Sequence, residues 1–419
     1  MFKWFTKREG MAPVMGRGPG GTGGDPWRRV IADLEYLQRA HARSHPWLAN
    51  VDPGARDEDF QEEFFRHFYR IMHQAGMAPM SFAEWRAGMA PAFNAKPFSR
   101  YEDPMAHFWL QKMRGEVQAA CERIDLKLPK EPVFGLLQTG RINGIAADVD
   151  NPDYYLILID DGILGFANLL AKVVAACFPV AENTDGGLTF RTDAESIAAE
   201  RVRNPEPGQR LFDLLTAYAV QGAPHAAQPY LMATKHLRLV DIFRDAMEFF
   251  IFGHEYGHCA AGHLVGAPRK HMQMAESGGE DFRMLMPDSW EKELEADFFG
   301  LVLGLNVMQS QGYSPSLSYA GIELVFTGID FMQRTLSILE QGEERDRVLD
   351  SHPPALYRRE AIRQHTERLF DPELRTAALG LSDVVTECLE FYWRSAARVL
   401  RQMHENGVRP HARWRQVQH

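Results

Sequence analysis

His254-Glu255-Tyr256-Gly257-His258 restricts the fold of this chain more than any other stretch of its 419 residues. Histidines four positions apart lie about one turn apart on one face of an α-helix, so both imidazoles can reach a single metal ion. The intervening Glu255 is placed to act as general base toward a water at that ion. The preceding residues fit a buried helix: Leu239, Val240, Ile242, Phe243, Met247 and Phe250 form a long apolar face. Gly253 and Gly257 make a small stripe at helical spacing, where a second helix can approach closely. Gly262 is a candidate C′ residue. Two ordinary helix histidines can produce the same pentapeptide by chance, so the rest of a site must be found elsewhere in the chain.

A catalytic zinc site takes three protein ligands and leaves a fourth position open. Cys259-Ala260-Ala261-Gly262-His263 follows His258, so the pattern HExxHxxGxxH fails. His263 comes five residues after His258, which on a continuous helix rotates it off the shared face. A terminal histidine interacting with the helix dipole is expected there, with a ligand role held in reserve. Glu293-Leu294-Glu295-Ala296-Asp297 is the better source of the third ligand. Asp288-Ser289 offers it an N-cap, and Glu293 and Asp297 share one face, one turn apart. One of these two carboxylates can bind zinc while the other orients a ligand histidine through its free ring nitrogen. Glu295 points elsewhere, is expected to be solvated, and is the reserve ligand. Ser351-His352-Pro353-Pro354 reads as an extended segment, with Arg358 on the first turns of the helix that follows. His352 and Arg358 form a donor pair suited to an oxyanion that develops when water attacks a carbonyl.

The net charge of −10 and the lack of a lysine- or arginine-rich block argue against general nucleic-acid binding. Cys121, Cys177, Cys259 and Cys388 form no CxxC pair, so neither a disulfide framework nor a cysteine zinc site is indicated. A reducing cytoplasm is the simplest compartment. The N-terminal Met1–Arg8 lacks an apolar core of the signal-peptide kind. Gly162–Ala181 is apolar enough to test as a membrane span, but Asn168 and Lys172 sit near its middle. A central lysine costs about 2.5–3.5 kcal/mol on insertion. A buried amphipathic helix is expected instead, without stable membrane insertion.

The chain divides into a Gly/Pro-rich tail (1–26), a helical N-terminal region (27–130), a zincin-like domain (131–370) and a C-terminal helix and tail (371–419). The tail contains a GxGxxG, but no strand precedes it and no GK[ST] follows, so it reads as a linker. Helical patterns cover Trp27–Ala42, Asp59–Met77 and Pro104–Ile124. Strands are expected at Pro132–Leu137 and Tyr154–Ile159, separated by a turn-rich Arg141–Ile145. The second strand is expected to form the edge of a cleft and to pair with an extended peptide. A helix is expected at Ile163–Cys177 and a polar excursion at 182–210. Later helices are expected at Ser316–Glu340, Ala355–Leu369 and Leu379–Asn406.

Three blocks in order, His254 to His258, Glu293 to Asp297, and His352 with Arg358, resemble the zinc metallopeptidases related to the CAAX prenyl proteases and HtpX peptidases. That family shows HExxH, ExxxD on a following helix, and a His-Pro motif with an arginine six positions on. Asn143-Gly144 and Tyr155–Leu164 look like a degraded copy of the strand and turn that precede its metal helix. ImmA/IrrE-like and phage-exclusion peptidases are the nearest competing match. The resemblance covers about half the chain, from Val133 to Arg359. It implies a gluzincin fold with Glu293 as third ligand. The expected fold class is α+β, mainly α, with a small sheet, the HExxH helix and extra helices at both ends. The expected activity is zinc-dependent endopeptidase cleavage of a protein or peptide substrate. The alternative is a non-catalytic, zinc-stabilised interaction or regulatory module on a peptidase frame, and Glu255 argues against it.

Overall fold

The computed structural model describes residues 25–44, parts of 61–73, 80–149, 151–182, 188–264, 290–344 and 353–414. The Gly/Pro-rich tail, the Asp288-Ser289 cap and His352 lie outside the described residues. Among the described residues the fold is mainly helical, with one three-stranded sheet and one two-stranded sheet. Helices α1 (Pro26–Ser44), α2 (Phe82–Phe93) and α3 (Pro104–Arg123) lead into strands β1 (Glu131–Leu137), β2 (Gly144–Ala147) and β3 (Tyr154–Asp160). Asn151 turns the chain into β3, its Oδ1 accepting the Asp153 and Tyr154 N–H groups at 3.1 and 3.2 Å.

The strand order is β1-β3-β2. β1 runs parallel to β3, with Glu131 opposite Tyr154, and β2 runs antiparallel, with Gly144 opposite Ile159. β3 is therefore the central strand, and this corrects its expected place at a cleft edge. The edge nearest the HExxH helix is β2, which begins inside the segment read as a turn. β3 is buried along its whole length, so it reads as a continuous apolar run and not as an alternating one. Its alternate residues serve two different cores. Tyr154, Leu156 and Leu158 pack with Val30, Leu34 and Leu37 of α1. Tyr155, Ile157 and Ile159 face the main helical core. On the free edge of β1, the Leu136 N–H donates to buried Glu102 at 2.9 Å, and Gln38 donates to the Leu136 carbonyl at 2.8 Å. These bonds cap an edge that would otherwise bury unpaired backbone groups.

Helix α4 (Asp161–Ala175) occupies most of the stretch tested as a membrane span. No helix among the described residues is long and apolar enough to cross a membrane. Lys172 is buried, with its ammonium donating to the Tyr230 carbonyl at 2.8 Å and lying over the Tyr230 ring. Burial pulls its pKa down to about 8.

The expected polar excursion at 182–210 holds regular structure in its described part, 188–210, and residue 182 ends a strand. Strands β4 (Val180–Glu182) and β5 (Leu188–Phe190) pair antiparallel, followed by α5 (Ala194–Arg203) and α6 (Glu206–Thr216). Asp193 starts α5 by accepting the Ser196 N–H at 2.8 Å, a cap that compensates for a weak apolar face.

Five further α-helices are described: α7 (Leu237–Ala260), α8 (Trp290–Ser310), α9 (Pro315–Gln341), α10 (Ala355–Leu369) and α11 (Pro372–Glu405). α11 starts before the expected Leu379 because Asp371 caps it and Pro372 occupies its first turn, two signals independent of apolar periodicity.

α7 carries the HExxH motif and packs along α8. The small stripe on α7 makes this approach possible. A Cβ at Gly257 would lie 2.8 Å from Phe299 Cβ and 2.9 Å from Ala296 Cα. At Gly253 it would lie 3.1 Å from Gly300 Cα. Gly257→Val is therefore expected to push the two helices apart and to destabilise the fold by about 1–3 kcal/mol or more. A denaturant midpoint equal to that of the native protein would show that the helices do not meet at this point.

Candidate metal centre

The tight α7–α8 approach brings together carboxylates and imidazoles that are 35 to 43 positions apart in sequence. His254 and His258 project from one face of α7. Glu293 and Asp297 project from one face of α8, both fully buried. His254 Nε2 lies 3.1 Å from His258 Nε2. Glu293 Oε2 lies 3.7 Å from His254 Nε2, and its Oε1 lies 3.5 Å from His258 Nε2. Two donors held about 2.1 Å from one ion at a tetrahedral angle stand about 3.4 Å apart. The three observed separations bracket that value. Among the described residues, His254, His258 and Glu293 form the one set able to hold a metal ion.

The surroundings orient His254. Its Nδ1 lies 2.9 Å from Asp297 Oδ1. A carboxylate there accepts the Nδ1 proton and leaves the Nε2 lone pair for an ion. Asp297 is itself held by a two-point fork from Arg358, with Nε to Oδ2 at 2.7 Å and Nη2 to Oδ1 at 2.6 Å. Burial alone would raise the Asp297 pKa, but the Arg358 guanidinium outweighs it and holds the carboxyl below its ordinary value. Burial would likewise lower His254, and Asp297 reverses that shift upward.

Arg358 was expected to donate to an oxyanion together with His352. Its fork is spent on Asp297, with Nη2 3.7 Å from Glu293 Oε2. Arg358→Ala would leave Asp297 without its guanidinium in a fully buried position. Breaking a buried pair of this kind costs about 3–5 kcal/mol. Thermal unfolding of the variant should show a loss near that range, and Arg358→Lys should recover only part, because an ammonium cannot fork onto both oxygens. An unchanged melting temperature in Arg358→Ala would show that the fork contributes nothing to Asp297.

Glu255, the next residue of α7 after His254, is almost fully buried against β2. A Cβ on Gly144 would lie 2.4 Å from Glu255 Oε1, so a side chain there would displace the carboxylate. Burial pushes the Glu255 carboxyl up to about 7, the Glu293 charge adds to this, and a hydrogen bond from the Ala146 backbone opposes it. Among the described residues its Oε2 has no hydrogen-bond partner.

His263 and Glu295, the two reserve ligands, lie outside the three-ligand set but beside it. α7 ends in a Schellman turn: Gly262 takes φ +72°, its N–H donates to the Cys259 carbonyl at 3.4 Å, and the His263 N–H donates to the His258 carbonyl at 3.1 Å. The turn folds His263 back over the last helical turn, which an extrapolated helix does not allow. His263 Nδ1 lies 3.0 Å from His258 Nδ1, and its Nε2 lies 3.0 Å from Glu295 Oε2. Glu295 is thus bonded at one oxygen, and not simply solvated as expected. The Gly262 turn signal was legible in sequence, but the partner it delivers was not.

No protein-family model, curated protein or solved structure matches this chain.

Proposed function

We propose that this chain is a zinc-dependent endopeptidase of the gluzincin type, with His254, His258 and Glu293 as the metal ligands. The observation that carries this reading is the three-donor set with Glu255 on the same helix and buried beside it. A site with a purely structural role closes with a fourth protein ligand and has no use for a carboxylate at Glu255. Zinc, when bound, would supply Lewis acidity that polarises a scissile carbonyl and lowers the pKa of water.

The chain's own residues account for the remaining chemistry. Glu255 takes a proton from the attacking water at a carboxylate oxygen and delivers it to the leaving amine. Asp297 keeps the His254 proton on Nδ1, and Arg358 keeps Asp297 ionised and in place. β2, the edge strand beside Glu255, is the element against which an extended peptide would align its backbone. The order of HExxH, Glu293-xxx-Asp297 and His352 with Arg358 supports a relation to the CAAX prenyl protease and HtpX-like peptidases. The test is hydrolysis of an unfolded protein or a peptide library by zinc-loaded protein, with Glu255→Gln as control. No cleavage of any such substrate would favour the alternative, a zinc-stabilised interaction module.

A further inference from the structure

We propose that His263 and Glu295 are positioning residues of the metal centre, acting through His258. This rests on the reading of His254, His258 and Glu293 as metal ligands. The geometry is a chain of three groups: His258 Nδ1 faces His263 Nδ1 at 3.0 Å, and His263 Nε2 faces Glu295 Oε2 at 3.0 Å. Each link determines the next. An ionised carboxylate only accepts, so Glu295 places the His263 proton on Nε2. A neutral imidazole with that proton has an acceptor at Nδ1. His258 must then carry its proton on Nδ1, and its Nε2 lone pair points at His254 Nε2 and Glu293 Oε1.

The two ligand histidines are therefore oriented by different means. His254 is held by a buried ion pair, Asp297 with Arg358. His258 is held through a second imidazole that ends on a carboxylate whose side chain is 56 % exposed. The chain also joins the two elements of the site. His263 belongs to the turn after α7, and Glu295 to the first turns of α8. It links the C-terminal end of α7 to the first turns of α8.

Partners that orient a metal-bound histidine typically change metal affinity about 10–100-fold when removed. Zinc affinity, measured by competition with a fluorescent chelator, is the readout, with the melting temperature of the metal-free protein measured alongside. His263→Leu is expected to bind zinc about 10–100-fold more weakly than native protein, with metal-free melting little changed. His263→Asn should recover part of the loss, because its side-chain oxygen takes the place of Nδ1 as acceptor. Glu295→Ala, on a half-exposed position that folding tolerates, should weaken zinc binding about 10-fold and keeps the test valid if His263→Leu fails to fold. Native protein that binds zinc while His263→Leu and Glu295→Ala bind it equally well would overturn the relay and leave the metal centre standing. Native protein that binds no zinc would overturn both.

Discussion

Glu255→Gln protein is expected to keep its metal and its melting transition while losing about 10²–10⁴-fold of its peptide-hydrolysing rate, the range contributed by one positioned acid–base group. The amide preserves the shape of the side chain. It also preserves an oxygen that can accept the Ala146 backbone hydrogen bond. The lost property is the ability to take a proton. Replacing a buried carboxylate by a neutral amide removes a desolvation cost, so stability should hold or rise. The measurement is single-turnover cleavage of a denatured protein by native and variant chains at equal zinc content. Cleavage by Glu255→Gln at the native rate would exclude the proposed mechanism.

The second large effect is on the metal. Native protein should take up one zinc per chain, and His254→Ala, His258→Ala and Glu293→Ala should each lose most of it. Glu293 is the sole anionic donor of the set. It lies with Asp297 in a fully buried position, and Arg358 is the guanidinium facing them both. A divalent cation therefore compensates charge that the metal-free fold keeps out of water. Zinc at 100 times its dissociation constant adds about 2.7 kcal/mol to stability, so a chelator should lower the melting temperature of native protein and leave that of Glu293→Ala unmoved. Full zinc retention by Glu293→Ala would remove it from the ligand set.

Part of this protein was legible in the order of its residues. The HExxH spacing, the glycine stripe at Gly253 and Gly257 and the shared face of Glu293 and Asp297 follow from a repeat of 3.6 residues, and the Gly262 helix end follows from glycine's ease at positive φ. That repeat relates near neighbours, so it is written locally. The apolar runs of β1 and β3 are local for the same reason. The tertiary structure alone decided which strand is the edge. Gly144–Ala147 is four residues without a strand signature of its own, and it becomes β2 through pairing with β3 nine to fifteen positions away. The tertiary structure also decided the partners of charged groups. Arg358 lies 61 positions from Asp297, and nothing in their neighbourhoods states that the fork will close there rather than on a substrate. His263 looked misplaced because five residues of helix would carry it away from His258; a single positive-φ glycine reverses the chain and brings it back. Periodicity describes the face a side chain occupies, while long-range packing decides what that face meets.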